Sequence, residues 1–347
     1  MTDTVLLTGI TGFLGGHLAL DLLNSGYHVR GSLRNPARAE TTRAALARAG
    51  ADTARLSFVQ LDLMSDDGWE AAAKDARFMI HAASPFVTTM PKDPQDLIRP
   101  AVKGTERALH AALSAGMERV VLTSSIITMN YGLGPERPNY VEEDQWTDPE
   151  SGRLSAYGQS KTYAERRAWE IAKAEELSLA TVQPGFITGP LIDNDPGVSG
   201  AVLLRMLKGG FPMAPNLHLN ISDVRDLARI HVAAMTAPSS EGQRHPAGFD
   251  PMSVREIAET VAQAYPELRS KLPLRSAPDW LVRIMGLFDG DIRANLNELG
   301  YRPRFDTVRA EGLMGRRHIA GAQSILDMTA SILERGLVAG WAVKAAA

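Results

Sequence analysis

Tyr157 and Lys161 stand four residues apart in the segment Ser155-Ala156-Tyr157-Gly158-Gln159-Ser160-Lys161. The residues that follow (Ala164, Glu165, Arg166, Ala168, Trp169, Ile171, Ala172) include strong helix formers and neither Gly nor Pro. The segment is therefore predicted to open a long helix. Positions i and i+4 share a helix face, so phenol and ammonium would point into the same space. A free phenol has a pKa of about 10, too high for efficient proton exchange at neutral pH. A neighbouring lysine cation is expected to lower it and make the tyrosine a usable general acid or base. The same spacing occurs by chance in many helices, so the surrounding chain must supply the context. Gly158 is an uncommon residue inside a helix and costs roughly 1 kcal/mol against alanine. It would either allow close approach to a cofactor or loosen the helix start.

The positioning elements begin at the N-terminus. Val5-Leu6-Leu7-Thr8 reads as a buried strand and runs directly into Gly9-Ile10-Thr11-Gly12-Phe13-Leu14-Gly15. Leu14, Leu18 and Leu22 then recur at helical spacing, with Gly26 as a C-terminal stop. Strand, glycine turn and helix are the setting of a dinucleotide-binding loop, where glycines let backbone N–H groups approach a pyrophosphate. The spacing is G-x-x-G-x-x-G, so its place at the first strand-to-helix turn carries the argument. A merely structural turn is the competing reading. The second strand, about His28 to Leu33, is followed by an informative absence. An NAD site usually places an acidic side chain near this strand end to bind the ribose 2′-OH. Between Tyr27 and Ala39 there is no Asp or Glu, but there are Arg30, Arg34 and Arg38. Arg34, just past the strand, is expected to hold a 2′-phosphate through charge-assisted bonds; Arg30 and Arg38 fit a solvated basic turn as well. NADP is favoured over NAD.

The same rhythm continues. Leu56 to Leu61 is a strand ending at Asp62-Leu63. Phe78-Met79-Ile80 leads into His81-Ala82-Ala83-Ser84-Pro85, whose small residues would let backbone lie close to a cofactor; His81 reads as a packed strand-end histidine. Ala101 to Ala115 is a predicted helix with Val102, Leu109 and Leu113 inward. Val120-Val121-Leu122 delivers Thr123-Ser124-Ser125 at its carboxyl end, the edge where open parallel sheets bind ligands. Leu179 to Val182 closes on Pro184-Gly185. Alternating strands and helices predict an α/β fold with a doubly wound parallel sheet. Residues 191–219 break the pattern, Ile221 to Met235 returns to it with Asp223 capping a helix from Val224, and helices without a strand rhythm follow from about Pro246. The expected division is a Rossmann domain of residues 1–190 and about 220–245. The remainder, about 191–219 and 246–347, forms a smaller, mainly helical substrate-binding lobe.

Composition narrows the function. The 347 residues are 44% hydrophobic and 22% charged, as in a globular protein with a sizeable core. The formal net charge of -3 gives no general reason to expect nucleic acid or an anionic membrane as partner. The absence of cysteine excludes disulfides and thiolate catalysis, and the eight histidines are scattered without the close spacing of a zinc site. No stretch reads as a membrane span or a secretory leader, so the expected setting is cytoplasmic.

With these signals in one order, the sequence resembles the extended short-chain dehydrogenase/reductase superfamily. It looks closest to the dihydroflavonol-reductase-like branch, with its cinnamoyl-CoA reductases and microbial aldehyde and ketone reductases. The matching segments run from Leu7 through Gly15 and from Val29 through Arg34, then through His81 to Pro85, Thr123 to Ser125, Tyr157 to Lys161, and Pro184-Gly185 with Gly189-Pro190. They cover roughly the first 235 residues; the C-terminal part matches only loosely. The resemblance implies that Ser125, rather than Ser124, hydrogen-bonds the substrate oxygen. Tyr157 would donate the proton, and Lys161 would lower its pKa and hold the nicotinamide ribose. Gly9, Gly12 and Gly15 would carry the pyrophosphate of NADP(H), with Phe13 and Leu14 along it and Arg34 on the 2′-phosphate. Asp62 and Leu63 would flank the adenine, and Ala82, Ala83, Pro184 and Gly185 would line the nicotinamide side.

The leading expectation is an NADPH-dependent reductase of an aldehyde or ketone, acting on a small-molecule carbonyl as a monomer or homodimer. An apolar pocket wall of Phe86, Val87, Met90, Tyr131, Leu191, Met206 and Phe211 would suit an uncharged substrate. A sugar-nucleotide epimerase or dehydratase is the enzymatic alternative, but it would normally show an acid where Leu33 or Arg34 stands. The dehydratase type also has an Asp-Glu pair after the active-site Thr, where this chain has Ser124 and Ser125. A hydroxysteroid dehydrogenase is a further enzymatic reading. A non-catalytic NADP sensor would typically lack the Tyr and Lys that are kept here.

Overall fold

Val5, Leu6 and Leu7 are fully buried, as are Phe78, Met79, Ile80, Val120 and Val121. Such near-continuous apolar runs belong to parallel strands covered by helices on both faces. A computed structural model describes residues 3–85, 91, 93–133 and 137–339. The first half runs β1 (Thr4–Thr8), α1 (Phe13–Asn24), β2 (His28–Leu33), α2 (Ala39–Arg48), β3 (Leu56–Gln60), α3 (Trp69–Ala73), β4 (Phe78–His81), α4 (Gln95–Ser114), β5 (Arg119–Thr123) and a one-turn α5 (Ile127–Asn130). Then come β6 (Tyr140–Val141), α6 (Ala156–Ala174), β7 (Leu179–Pro184), β8 (Phe186–Thr188), α7 (Gly197–Leu207), β9 (His218–Asp223), α8 (Val224–Thr236), β10 (Arg244–Ala247) and β11 (Asp250–Ser253). The chain continues through α9 (Val254–Ala264), α10 (Asp279–Met285), α11 (Gly290–Ala294), β12 (Arg304–Phe305), α12 (Val308–Met314) and α13 (Gly321–Glu334).

Seven strands form one parallel sheet in the order β3-β2-β1-β4-β5-β7-β10. The chain winds outward from β1 to β3 and then returns to β4, so the direction of winding switches between β1 and β4. At such a switch the carboxyl ends of the strands open a crevice. The doubly wound parallel sheet expected from the sequence is the observed one. A smaller sheet, β11-β9-β8, continues from it.

Two expectations change. Helix α4 begins at Gln95, ahead of Pro100, and Val102 is only half-buried. Asp93 Oδ1 accepts from Gln95 N at 2.9 Å, and Leu97 and Ile98 draw the first turn into the core despite the proline. β10, with the sequence Arg-His-Pro-Ala, occupies a stretch expected to lead into helices. It lies at the sheet edge, where a proline costs no ladder bond on the outer side.

A second apolar core gathers Leu203, Met206 and Leu207 of α7, Ile257 and Val261 of α9, and Ile325, Met328 and Ile332 of α13. Leu191 belongs to this core with Met206, and Phe211 packs against it. These three expected pocket residues therefore have a packing role. Phe13, the first residue of α1, packs against both this core and the one under the main sheet. Among the described residues no helix is long and apolar enough to cross a membrane.

Candidate active site

The carboxyl edge of the sheet receives Gly9 from β1, Ala82 and Ala83 from β4, Ser124 and Ser125 from β5, and Pro184 and Gly185 from β7. The glycine turn is shaped by two close approaches. Gly9 has φ +76°, and a Cβ there would stand 2.9 Å from the Ala83 backbone. A Cβ on Gly15 would fall within 2.8 Å of the Gly9 carbonyl carbon, so α1 packs directly on the turn. Gly12 differs from both. It is exposed and extended ahead of α1, and a Cβ on it would meet no heavy atom nearer than 3.5 Å. Gly12 thus has room for at least a methyl group, beside the first-turn N–H groups of Phe13 and Leu14 at the helix start. Leu14 turns its side chain into the core, so only its backbone faces this space.

The three arginines separate. Arg30 Nη1 donates to the carbonyls of Ala72 and Lys74, both at 2.6 Å, and is used to close α3. Arg38 lies 3.5 Å from Asp193. Arg34 is exposed just past β2, and no described side chain pairs with its guanidinium. Asp62 follows β3, and its Oδ1 accepts from Met64 N at 2.8 Å in a local turn. The Leu63 side chain packs on Gly104 of α4. His81 is fully packed: its Nδ1 lies 2.8 Å from Thr8 Oγ1, which also accepts from Ala83 N at 3.1 Å. Burial, then the Lys161 charge, lowers it to about 3, so it is neutral.

Ser155 caps α6, its Oγ accepting from Gly158 N at 3.1 Å. This places Tyr157 and Lys161 on successive turns. The Ser125 side chain neighbours the Tyr157 hydroxyl and acts on it as a polar partner. Lys161 Nζ lies 3.5 Å from the Thr123 carbonyl at the end of β5. The Thr123 hydroxyl points elsewhere, 2.9 Å from His231 Nε2, and the other ring nitrogen of His231 donates to Leu227 O at 2.7 Å. The electrostatics run opposite to the expectation for the pair. Burial raises the Tyr157 phenol above its ordinary value, with Ser125 opposing. Burial also pulls Lys161 itself down to about 8, with the Glu165 carboxylate opposing.

Gly158 faces protein: a Cβ there would meet the Leu154 side chain at 2.6 Å and Ile127 of α5 at 3.1 Å. It lets the start of α6 close on the segment that carries Ser125. Tyr131 packs with Ile126, Met129, Val141 and Phe305, whereas Phe86, Val87 and Met90 lie outside the described residues. By sequence Glu165 reads only as a helix former, and Arg244 carries no signal. Glu165 is fully buried and paired with Arg244 at 2.9 Å. Its spacing of four from Lys161 was the available signal; nothing local marks Arg244.

A family model described as the NAD-dependent epimerase/dehydratase family matches residues 5–246. The chain belongs to that family, one of extended short-chain dehydrogenase/reductases. Among its members, this chain is 32% identical over 282 residues to cinnamoyl-CoA reductase CAD2 of Medicago truncatula, with 80% of this chain and 85% of the relative covered. Tetraketide alpha-pyrone reductase 1 of Arabidopsis thaliana is 29% identical over 338 residues, with 96% of each covered. The extended-reductase fold also appears in the crystal structure of yeast methylglyoxal/isovaleraldehyde reductase Gre2 complexed with NADPH. The two superpose with a TM-score of 0.78 at 23% identity, covering 96% of this chain and 98% of that one.

Proposed function

We propose that the protein is an NADPH-dependent reductase that converts an aldehyde or ketone to the alcohol. The observation that carries this reading is the gathering of Ser125, Tyr157 and, one turn on, Lys161 at the same sheet edge as the glycine turn. The names of the curated relatives, reductases of carbonyl compounds, support it.

The residues fit a phosphorylated dinucleotide. Gly12 adds no side chain where a pyrophosphate would lie, Phe13, Leu14 and Gly15 offer helix-start N–H groups, and Gly9 sets the turn. Arg34 supplies a cation beyond β2 that no described side chain pairs, and residues 28–38 hold no acid. Asp62 and Leu63 would border the adenine; Ala82, Ala83, Pro184 and Gly185 would border the nicotinamide. Bound in its reduced form, the cofactor supplies a hydride to the carbonyl carbon. The chain's own residues handle the oxygen. Tyr157 is protonated throughout the neutral range and has a proton to give as the oxygen gains negative charge. Ser125, which neighbours that phenol, would hold the same oxygen. Lys161 is charged below about pH 8 and would bind the nicotinamide ribose. The second apolar core and the chain around it would form the substrate side.

Cofactor oxidation followed by absorbance across aldehydes, ketones and diketones tests the reading. Turnover is expected with NADPH and much less with NADH. Tyr157→Phe should lower kcat by at least about 100-fold, the scale of a lost general acid, while NADPH still binds. Arg34→Ser should weaken NADPH binding about 10- to 100-fold, as for a lost charge-assisted bond, and leave NADH unaffected. A preference for NADH would sink the 2′-phosphate role and return the epimerase reading. Full turnover by Tyr157→Phe would sink the mechanism.

A further inference from the structure

Tyr157, Lys161 and Glu165 are spaced by fours on α6 and share one face. The first two face the carboxyl edge; the third lies beneath it, fully buried. A buried carboxylate carries a penalty of several kcal/mol unless it is paired and its oxygens are filled, and here both are. Oε1 accepts from Arg244 Nε at 2.9 Å, Gln183 Nε2 at 2.7 Å and Thr181 Oγ1 at 3.2 Å. Oε2 lies 2.5 Å from Ser124 Oγ and 2.6 Å from Thr128 Oγ1. Arg244 is held in turn by the carbonyls of Glu143 and Gln145, at 3.0 and 2.6 Å, and stacks 3.9 Å over Trp146.

One oxygen therefore grips hydroxyls on both sides of Ser125. Ser124 precedes it, and the Thr128 hydroxyl is also 2.9 Å from the Ser125 carbonyl. Because the carboxylate rides on the helix that carries Tyr157, the grip fixes Ser125 relative to the phenol. We propose that Glu165, clamped by Arg244 from the edge strand, is a positioning residue that sets the Ser125–Tyr157 geometry through Ser124 and Thr128. The two adjacent serines thus divide the work: Ser125 faces the substrate oxygen, and Ser124 faces inward to the carboxylate. This inference rests on the reductase reading.

The test uses the full-length protein and compares Ser124→Ala, Ser124→Thr, Tyr157→Phe and Glu165→Gln. A misplacement near 1 Å in an active site costs up to about 100-fold in rate. Ser124→Ala should therefore lower kcat about 10- to 100-fold, with KM and directly measured NADPH Kd within about twofold of the parent. Ser124→Thr, which restores a hydroxyl, should recover most of the rate. Where Glu165→Gln folds, its loss should not add to that of Ser124→Ala, as expected for two residues acting through one bond. Should it not fold, the Ser124 pair decides. Parental kcat in Ser124→Ala overturns the proposal. So does a loss of kcat matched by an equal loss of NADPH affinity, which would mark general loosening. Tyr157→Phe separates the two ideas: if it keeps full turnover the reductase reading itself has failed, whereas its inactivity beside a fully active Ser124→Ala defeats only the positioning role.

Discussion

The burial of Lys161 has a consequence for stability that can be measured. Its ammonium titrates near 10.5 in the unfolded chain and near 8 in the fold. Between these values the unfolded chain binds a proton that the native chain does not, so stability rises with pH across that window. At 1.36 kcal/mol per unit the gain is roughly 3 kcal/mol. Denaturant unfolding of the cofactor-free protein at about pH 8 and about pH 10 should show this rise, and Lys161→Met should remove it. Equal slopes in the two proteins would mean the ammonium is not desolvated in solution. At this scale the sequence was legible wherever chemistry is local. The Tyr157–Lys161 spacing, the glycine turn and the lack of an acid after β2 all lie within a few residues. The direction of the Tyr157 shift was not legible, because it depends on what covers the phenol. The inward turn of Ser124 was hidden for a similar reason: its partner is 41 residues away.

Helix α6 carries three of the side chains discussed above, and its first turn depends on one cap. Ser155 Oγ holds the Gly158 N–H, and Tyr157 sits inside that turn. Ser155→Ala is expected to destabilise the protein by about 1 kcal/mol, the usual cost of a lost N-cap. It should also reduce turnover by more than it reduces cofactor affinity, since the fraying end bears the phenol. Thermal melts with parallel kinetics check this, and an unchanged kcat would show that the turn is held by packing alone. Elements whose apolar period is clear, such as β1, β2, β5 and α8, could be read from sequence nearly to the residue. The start of α4 could not, because tertiary burial of Leu97 and Ile98 outweighs the proline. Nor could β10, a polar edge strand whose Arg244 answers a carboxylate 79 residues earlier.

Across the whole molecule, the C-terminal segment is tied back by an imidazole. His318 stacks on Phe249 at 4.6 Å and stands between Glu311 Oε1, 2.7 Å from its Nδ1, and Asp250 Oδ1, 3.3 Å from its Nε2. Two carboxylate acceptors call for both ring nitrogens to donate, and the Asp250 bond chiefly raises the His318 pKa above 6.5. A raised histidine contributes stability that is fully present below its unfolded value and is lost as pH rises through the folded one. His318→Gln should flatten the fall in denaturation midpoint from about pH 6 to about pH 8.5. A fall of undiminished size in the variant would assign it to other groups.

Phe13 gives the molecule a further property. Its N–H belongs to the glycine turn proposed for the pyrophosphate, while its ring packs into both apolar cores. Neither core can melt without stripping contacts from that ring, so heat should unfold the chain in a single cooperative transition. An anion seated on the turn would then raise the midpoint of the entire transition, including segments far along the chain from any phosphate.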